Sequence, residues 1–134
     1  MAKIKKVNHI AIASTDIEEA RVFWEDKLGL VLDHMEDVPS QKSKIAFYHV
    51  GETEIEIVQP TTDDSGVAKF IESKGPGMHH LCFEVDDIDA MLAELKEKGV
   101  RLINETALEL EGRKMAFLHP KAANGVLIEL YQLL

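Results

Sequence analysis

Apolar and polar residues alternate over several short stretches of the chain, which predicts half-buried β-strands. Over residues 5–13, large apolar side chains alternate with a second strand face that carries His9 and two alanines. A helix is predicted next, because Asp16 is a good N-cap and apolar residues then follow helical spacing up to Gly29. The chain therefore begins with a strand and a helix.

The remaining pattern predicts two modules with the same βαβββ order. After the helix, the first module continues with a strand, a loop and a hairpin around Gly51-Glu52, at residues 30–35, 36–43, 44–50 and 53–59. A bridge helix is predicted over residues 64–75. The second module then has strand 79–85, helix 88–98, strand 100–103, loop 104–112, strand 113–118 and strand 126–132. We expect a single domain, 1–134, with modules at about 5–60 and 77–134.

The two modules share more than their element order. His9 and His80 each lie seven residues before an aspartate that opens a helix, and Glu56 in TEIEIVQ matches Glu129 in VLIELYQ. The separations are similar, since 56 − 9 = 47 and 129 − 80 = 49. This pattern indicates an internal duplication that supplies two histidines and two glutamates in equivalent places.

The overall composition narrows the class of protein. A chain of 134 residues with 46% hydrophobic content can bury one core, and its formal charge of −9 argues against a nucleic-acid surface. No apolar run is long enough for a membrane span, and the N-terminal residues lack the apolar core of a signal peptide. We expect a cytoplasmic protein in which the single cysteine, Cys82, is a small core residue.

The matched histidines and glutamates predict a metal site formed by His9, Glu56, His80 and Glu129. Glu129 carries the most weight, because it is surrounded by apolar residues and an unpaired buried carboxylate is costly. Two imidazoles and two carboxylates suit Mn, Fe, Co, Ni or Zn in a six-coordinate centre with two open positions. Open positions favour catalysis or substrate binding over a purely structural role.

Strand parity separates His80 from its neighbour His79. His80 shares a strand face with Cys82 and Glu84, whereas His79 points to the opposite face, toward a helix or a subunit contact. The three remaining histidines are expected to have surface or turn roles: His34, His49 and His119.

The motifs HIAIA, EIEIVQP, HHLCFEVDDID and GVLIEL resemble the vicinal oxygen chelate superfamily, which includes glyoxalases, bleomycin-resistance proteins and dioxygenases. Within it, GMHHLCFEVDDIDAMLAELKEKGVRLINE and FLHPKAANGVLIEL are most similar to methylmalonyl-CoA epimerases. The resemblance implies an α+β fold in which two βαβββ modules form a cupped, incompletely closed eight-stranded sheet around one metal ion. It also implies the same four ligands, a cobalt-like divalent ion, an acyl-CoA substrate and a homodimer.

An epimerase of this kind interconverts the two C2 stereoisomers of methylmalonyl-CoA through a metal-stabilised, enediolate-like intermediate. The resemblance implies that Glu129 carries one proton as well as binding the metal. Two alternatives stay open: a glyoxalase I-type lactoylglutathione lyase, and a non-catalytic small-molecule-binding protein of the same fold. A dioxygenase is disfavoured, because a fourth protein ligand would occupy a position that oxygen chemistry needs.

The chain departs from the epimerase pattern at two places. These epimerases often have a glutamate where this chain has Ser40, and some have another near Lys44 and Ile45. The second proton carrier is therefore unassigned. In addition, a segment ALELEGRK stands where a Gly-rich turn is common, so the substrate can differ.

Overall fold

Eight strands and three α-helices follow one another along the chain in a computed structural model that describes residues 1–134. The elements are β1 Ile4–Ala13, α1 Ile17–Arg21, β2 Leu32–Val38, β3 Ser43–Val50, β4 Thr53–Pro60, α2 Gly66–Lys74, β5 Gly77–Val85, α3 Ile88–Glu97, β6 Leu108–Leu110, β7 Arg113–Leu118 and β8 Leu127–Leu133. The strands form one sheet in the order β2-β3-β4-β1-β5-β8-β7-β6. The predicted α+β class with an open eight-stranded sheet is confirmed.

Two compact units divide the chain at the two histidines. The continuous unit is Ile10–His79, and the split unit joins Met1–His9 to His80–Leu134. The strand β1 thus contributes its first half to one unit and its second half to the other. None of the helices is long and apolar enough to cross a membrane.

The continuous unit packs α1 against the antiparallel strands β3 and β4. Ile17, Ala46, Tyr48 and Ile57 form a fully buried cluster at this contact. Asp16 caps α1 by accepting from two backbone N–H groups, and the Gln59 side chain accepts from the first helical N–H at 2.7 Å. After Arg21 the predicted helix continues to Lys27 as a wider π-helix rather than an α-helix.

The split unit repeats this arrangement with α3 on β5, β7 and β8. Its core clusters Ile88 and Leu92 of the helix with buried strand residues such as Ile128 and Leu130. Asp87 caps α3, and the Gln132 side chain accepts the N–H of Ile88 at 2.8 Å. Gln132 therefore repeats the role that Gln59 has in the other unit, which is what the proposed duplication requires.

The prediction of a strand at residues 100–103 followed by a loop at 104–112 is wrong. Only Leu102 forms an isolated bridge, because the Asn104 side chain accepts the N–H of Phe117 and interrupts regular pairing. The strand is instead β6, Leu108–Leu110, which pairs with β7 across a turn at Gly112. All three residues of β6 are exposed, so their apolar pattern does not reveal the strand.

The predicted loop at 36–43 is also partly wrong. Strand β2 extends to Val38, because Glu36 to Val38 remain paired with Ser43 to Ile45 of β3. At an edge strand, pairing on one side satisfies the backbone while acidic side chains stay in solvent. A short 3₁₀ turn at Pro39–Gln41 then leads into β3.

Candidate metal site

Three of the four predicted ligands come together in the split unit. His9 lies on β1, His80 on β5 and Glu129 on β8, and these strands are neighbours in the sheet. The parallel register of β5 and β8 sets Cys82 opposite Glu129, which turns the glutamate toward the same strand face as His80. His9 is 2% exposed and Glu129 is 4% exposed, so the site is almost closed to solvent.

The donor atoms of these residues converge on one point. His9 Nε2 lies 3.1 Å from His80 Nε2, and Glu129 Oε1 lies 3.2 Å from His9 Nε2 and 3.0 Å from His80 Nε2. Adjacent donors around an octahedral ion with bonds of about 2.1–2.2 Å are separated by about 3.0–3.1 Å. The triangle formed by His9, His80 and Glu129 therefore fits one face of a six-coordinate divalent ion.

The chemistry of the donors also fits a cation. Two ring nitrogens and a carboxylate oxygen attract one another at this distance only when a proton or a metal ion lies between them. Burial opposes ionisation of Glu129, but hydrogen bonds from His80 and then His9 outweigh it, so the pKa of Glu129 is lowered. The carboxylate is consequently ionised at neutral pH and available as a ligand.

Aromatic rings and a thiol surround the three donors. The Tyr131 ring meets the His9 ring edge to face at 5.2 Å, and the Phe117 ring meets the His80 ring at 5.9 Å. Cys82 is fully buried, and its Sγ lies within 4.8 Å of ligand atoms of His9 and Glu129. The rings restrict rotation of the imidazoles, and the thiol adds a soft atom beside the hard donors.

Glu56, the fourth predicted ligand, lies in the continuous unit. It is half-buried on β4, where it is paired in register with Phe47 of β3. Its place in the metal site stays a prediction that rests on its equivalence to Glu129.

The other histidines lie outside the triangle. His79 contacts the Phe70 ring of α2 at 5.0 Å, in agreement with the expectation that it faces a helix. His34 and His49 are exposed and share Asp33 as an ionic partner. His119 accepts the N–H of Lys121 in a turn.

Sequence reasoning missed two residues that support the site. Asn8 Oδ1 lies 2.7 Å from His9 Nδ1, and Asn8 Nδ2 donates to Glu84 Oε1 at 3.3 Å. Glu84 is only 6% exposed, and it shares a strand face with His80. A buried acid two positions beyond Cys82 was a usable signal, since such a group requires a partner.

Comparisons with known proteins point in the same direction as the geometry. Residues 8–117 match the family model of the Glyoxalase/Bleomycin resistance protein/Dioxygenase superfamily. The chain is 38% identical over 129 residues to a mitochondrial methylmalonyl-CoA epimerase of Bos taurus, covering 95% of this chain and 74% of that protein. It is 38% identical over 133 residues to an ethylmalonyl-CoA/methylmalonyl-CoA epimerase of Cereibacter sphaeroides, covering 96% and 98%.

A solved structure extends the similarity to three dimensions. A methylmalonyl-CoA epimerase in complex with methylmalonyl-CoA and NH4+ has a TM-score of 0.85 and 30% sequence identity to this chain. The match covers 98% of this chain and 96% of the other. The similarity therefore extends over nearly all of both chains.

Proposed function

This chain belongs to the glyoxalase/bleomycin resistance/dioxygenase superfamily, and from that premise we propose that it is a metal-dependent epimerase of methylmalonyl-CoA. As an isomerase, it would interconvert the two C2 stereoisomers of this acyl-CoA. The observation that carries the proposal is the triangle of His9, His80 and Glu129 donor atoms, 3.0–3.2 Å apart, within a chain so similar to epimerases.

The proposed ligand set is His9, Glu56, His80 and Glu129, and cobalt is the ion that we propose. A divalent ion bound there would polarise the thioester carbonyl and stabilise the negative charge that develops on its oxygen as the α-proton leaves. His9, Glu56, His80 and Glu129 would hold the ion, and a six-coordinate ion held by four protein ligands would still be able to bind substrate oxygens.

Glu129 is our candidate for one of the two proton carriers. The Glu129 carboxylate is ionised and can therefore accept a proton, and its burial keeps water away from the transferred proton. In this scheme the C2–H bond breaks, the proton passes to a Glu129 oxygen, and an acid on the opposite face of the substrate returns a proton to C2. A glutamate cannot be that acid at positions 40, 44 or 45, because this chain has Ser40, Lys44 and Ile45 there.

The decisive experiment follows exchange at the α-carbon of methylmalonyl-CoA by NMR in deuterium oxide, with cobalt-loaded protein. We expect the C2 proton to be replaced by deuterium, and Glu129→Gln to slow this exchange by about 10²–10⁴-fold. Glu97→Gln, an exposed change on α3, is the matched control and should exchange at the normal rate.

Two other outcomes would assign a different function. Turnover of the methylglyoxal-glutathione hemithioacetal without exchange of methylmalonyl-CoA would indicate the glyoxalase I-type lyase. Binding of acyl-CoA by metal-loaded protein with no exchange would indicate a non-catalytic binding protein. Ethylmalonyl-CoA belongs in the same assay, because the Cereibacter sphaeroides relative is named for both substrates.

We also propose that the protein acts as a homodimer in the cytoplasm. The homodimer follows from the family and from the frequency of twofold assemblies. The cytoplasmic assignment agrees with the single free thiol of Cys82. Sedimentation analysis and fractionation of cells test these two statements separately.

A further inference from the structure

A short chain of polar side chains leads from the protein surface to the back of His9. Lys5 Nζ lies 3.3 Å from Glu84 Oε2, and the other oxygen of Glu84 accepts from Asn8 Nδ2 at 3.3 Å. Asn8 Oδ1 then lies 2.7 Å from His9 Nδ1, on the opposite side of the ring from the metal triangle. All four residues belong to the split unit.

The proton positions along this chain follow from what each group can donate. An ionised carboxylate only accepts, so the amide nitrogen of Asn8 must face Glu84. The amide oxygen is therefore directed at His9 Nδ1, and a carbonyl oxygen also only accepts. Consequently His9 Nδ1 must carry a proton, and Nε2 is the nitrogen that can present a lone pair to a metal ion.

The negative charge of Glu84 keeps the Asn8 amide in one orientation, with its nitrogen toward Glu84 and its oxygen toward His9. The Glu84 side chain is 8% exposed, and the ammonium group of Lys5, whose side chain is 56% exposed, offsets its negative charge. A Glu84 side chain turned away from Asn8 would let the Asn8 amide turn over. His9 Nδ1 would then face an NH₂ group and would have to lose its proton.

We propose that Asn8, oriented by Glu84, is a positioning residue that fixes the protonated nitrogen of His9 and directs Nε2 at the metal. The inference rests on the metal site of the proposed function, but it concerns a residue outside the three donors, one that contacts His9 and Glu84. Partners of this kind typically change metal affinity by about 10–100-fold when they are removed.

The direct test is to determine which ring nitrogen of His9 is protonated. Correlations of ring protons with ¹⁵N report this, recorded on metal-free protein at about pH 8, above the usual His pKa of about 6.5. In the unsubstituted protein we expect a proton on Nδ1. In Asn8→Leu, which removes the acceptor at similar size, we expect the proton to move to Nε2 and the cobalt dissociation constant to rise about 10–100-fold.

A paired exchange separates positioning from simple packing. The double variant Asn8→Asp with Glu84→Gln interchanges the amide and the carboxylate, so an acceptor again faces His9 Nδ1. It should restore both the Nδ1 proton and cobalt binding to within about threefold, which a loss of packing would not allow. Glu84→Gln alone should give a mixture of the two protonation patterns.

The matched control is Asn104→Leu, which removes another asparagine acceptor of the split unit, the partner of the Phe117 N–H at 2.8 Å. This change should lower the melting temperature and leave the protonation of His9 unchanged. The proposal is overturned if His9 Nδ1 carries no proton in the unsubstituted protein, or if a folded Asn8→Leu protein keeps the normal protonation and cobalt affinity. Failure of the unsubstituted protein to bind cobalt or exchange methylmalonyl-CoA would refute the proposed function instead, because the protonation measurement needs neither.

Discussion

Replacing Glu129 with Gln should abolish most of the stability that a bound divalent ion gives to the folded protein. The change keeps the shape of the side chain but removes the charge of the donor oxygen that lies 3.0 and 3.2 Å from the two imidazoles. Since the three donors assemble only in the folded chain, a bound ion would favour the native state and raise the free energy of unfolding.

The expected size of the effect follows from linkage. At a free cobalt concentration about 100 times the dissociation constant, the ion stabilises the native protein by about 2.7 kcal/mol. Removing a residue that hydrogen-bonds to a metal ligand can weaken metal binding by ~100-fold. Removing a ligand itself should weaken binding at least as much. Cobalt at the same concentration would then stabilise the variant by only about 0.4 kcal/mol. The difference in stabilisation between the two proteins corresponds to about 7–9 °C in melting temperature for a domain of this size.

The assay is calorimetric unfolding with excess chelator and with cobalt. Without metal, Glu129→Gln should itself lower stability, because the hydrogen bonds from His80 and His9 outweigh the desolvation of the carboxylate, so the test compares the increase that each protein gains on adding cobalt. With cobalt, the unsubstituted protein and the exposed control Glu97→Gln should show the full increase in melting temperature. An undiminished increase in Glu129→Gln would show that this carboxylate is not a ligand.

Two further predictions concern groups outside the metal site. Tyr48 is fully buried, and its hydroxyl donates to Glu25 Oε2 at 2.7 Å, so Tyr48→Phe should lower the free energy of unfolding by about 2 kcal/mol in urea titrations; a loss below about 0.5 kcal/mol would contradict this. Hydrogen bonds from Lys42 and then Thr62 lower the pKa of Asp64 to about 2, so this carboxylate stabilises the fold above about pH 4 and loses that effect as pH falls toward about 2. Lys42→Met should flatten the pH dependence of unfolding in that window, whereas an unchanged profile would show that the Asp64 pair does not affect folding.

The sequence predicted that His9, His80 and Glu129 lie together because duplication adds information that one residue lacks. His80 by itself is an ordinary strand histidine, but its equivalence to His9 and the match of Glu129 to Glu56 predicted a common site. The structure brings three of these residues together, within 3.2 Å for each pair of donor atoms. For Glu56 the prediction rests on the duplication alone.

Features that lack a buried apolar face were harder to predict. The three residues of β6 are exposed, and its position is set by backbone pairing with β7 across the turn at Gly112. The contact from Asn8 to Glu84 joins residues that are 76 positions apart, so no local pattern reports it. The π-helix after Arg21 spaces its apolar residues almost as an α-helix does. The apolar spacing alone therefore does not distinguish the two kinds of helix.

The membership of Met1–His9 in the split unit has a consequence for how the protein is made. His9 leaves the ribosome well before its partner Glu129, because 129 − 9 = 120 positions separate the two residues. Contacts between such distant positions form slowly and late, so the nascent chain cannot assemble the three donors before Glu129 itself has been synthesised. A chain that stops before Glu129 would therefore lack one of the three donors and could not form the triangle of His9, His80 and Glu129.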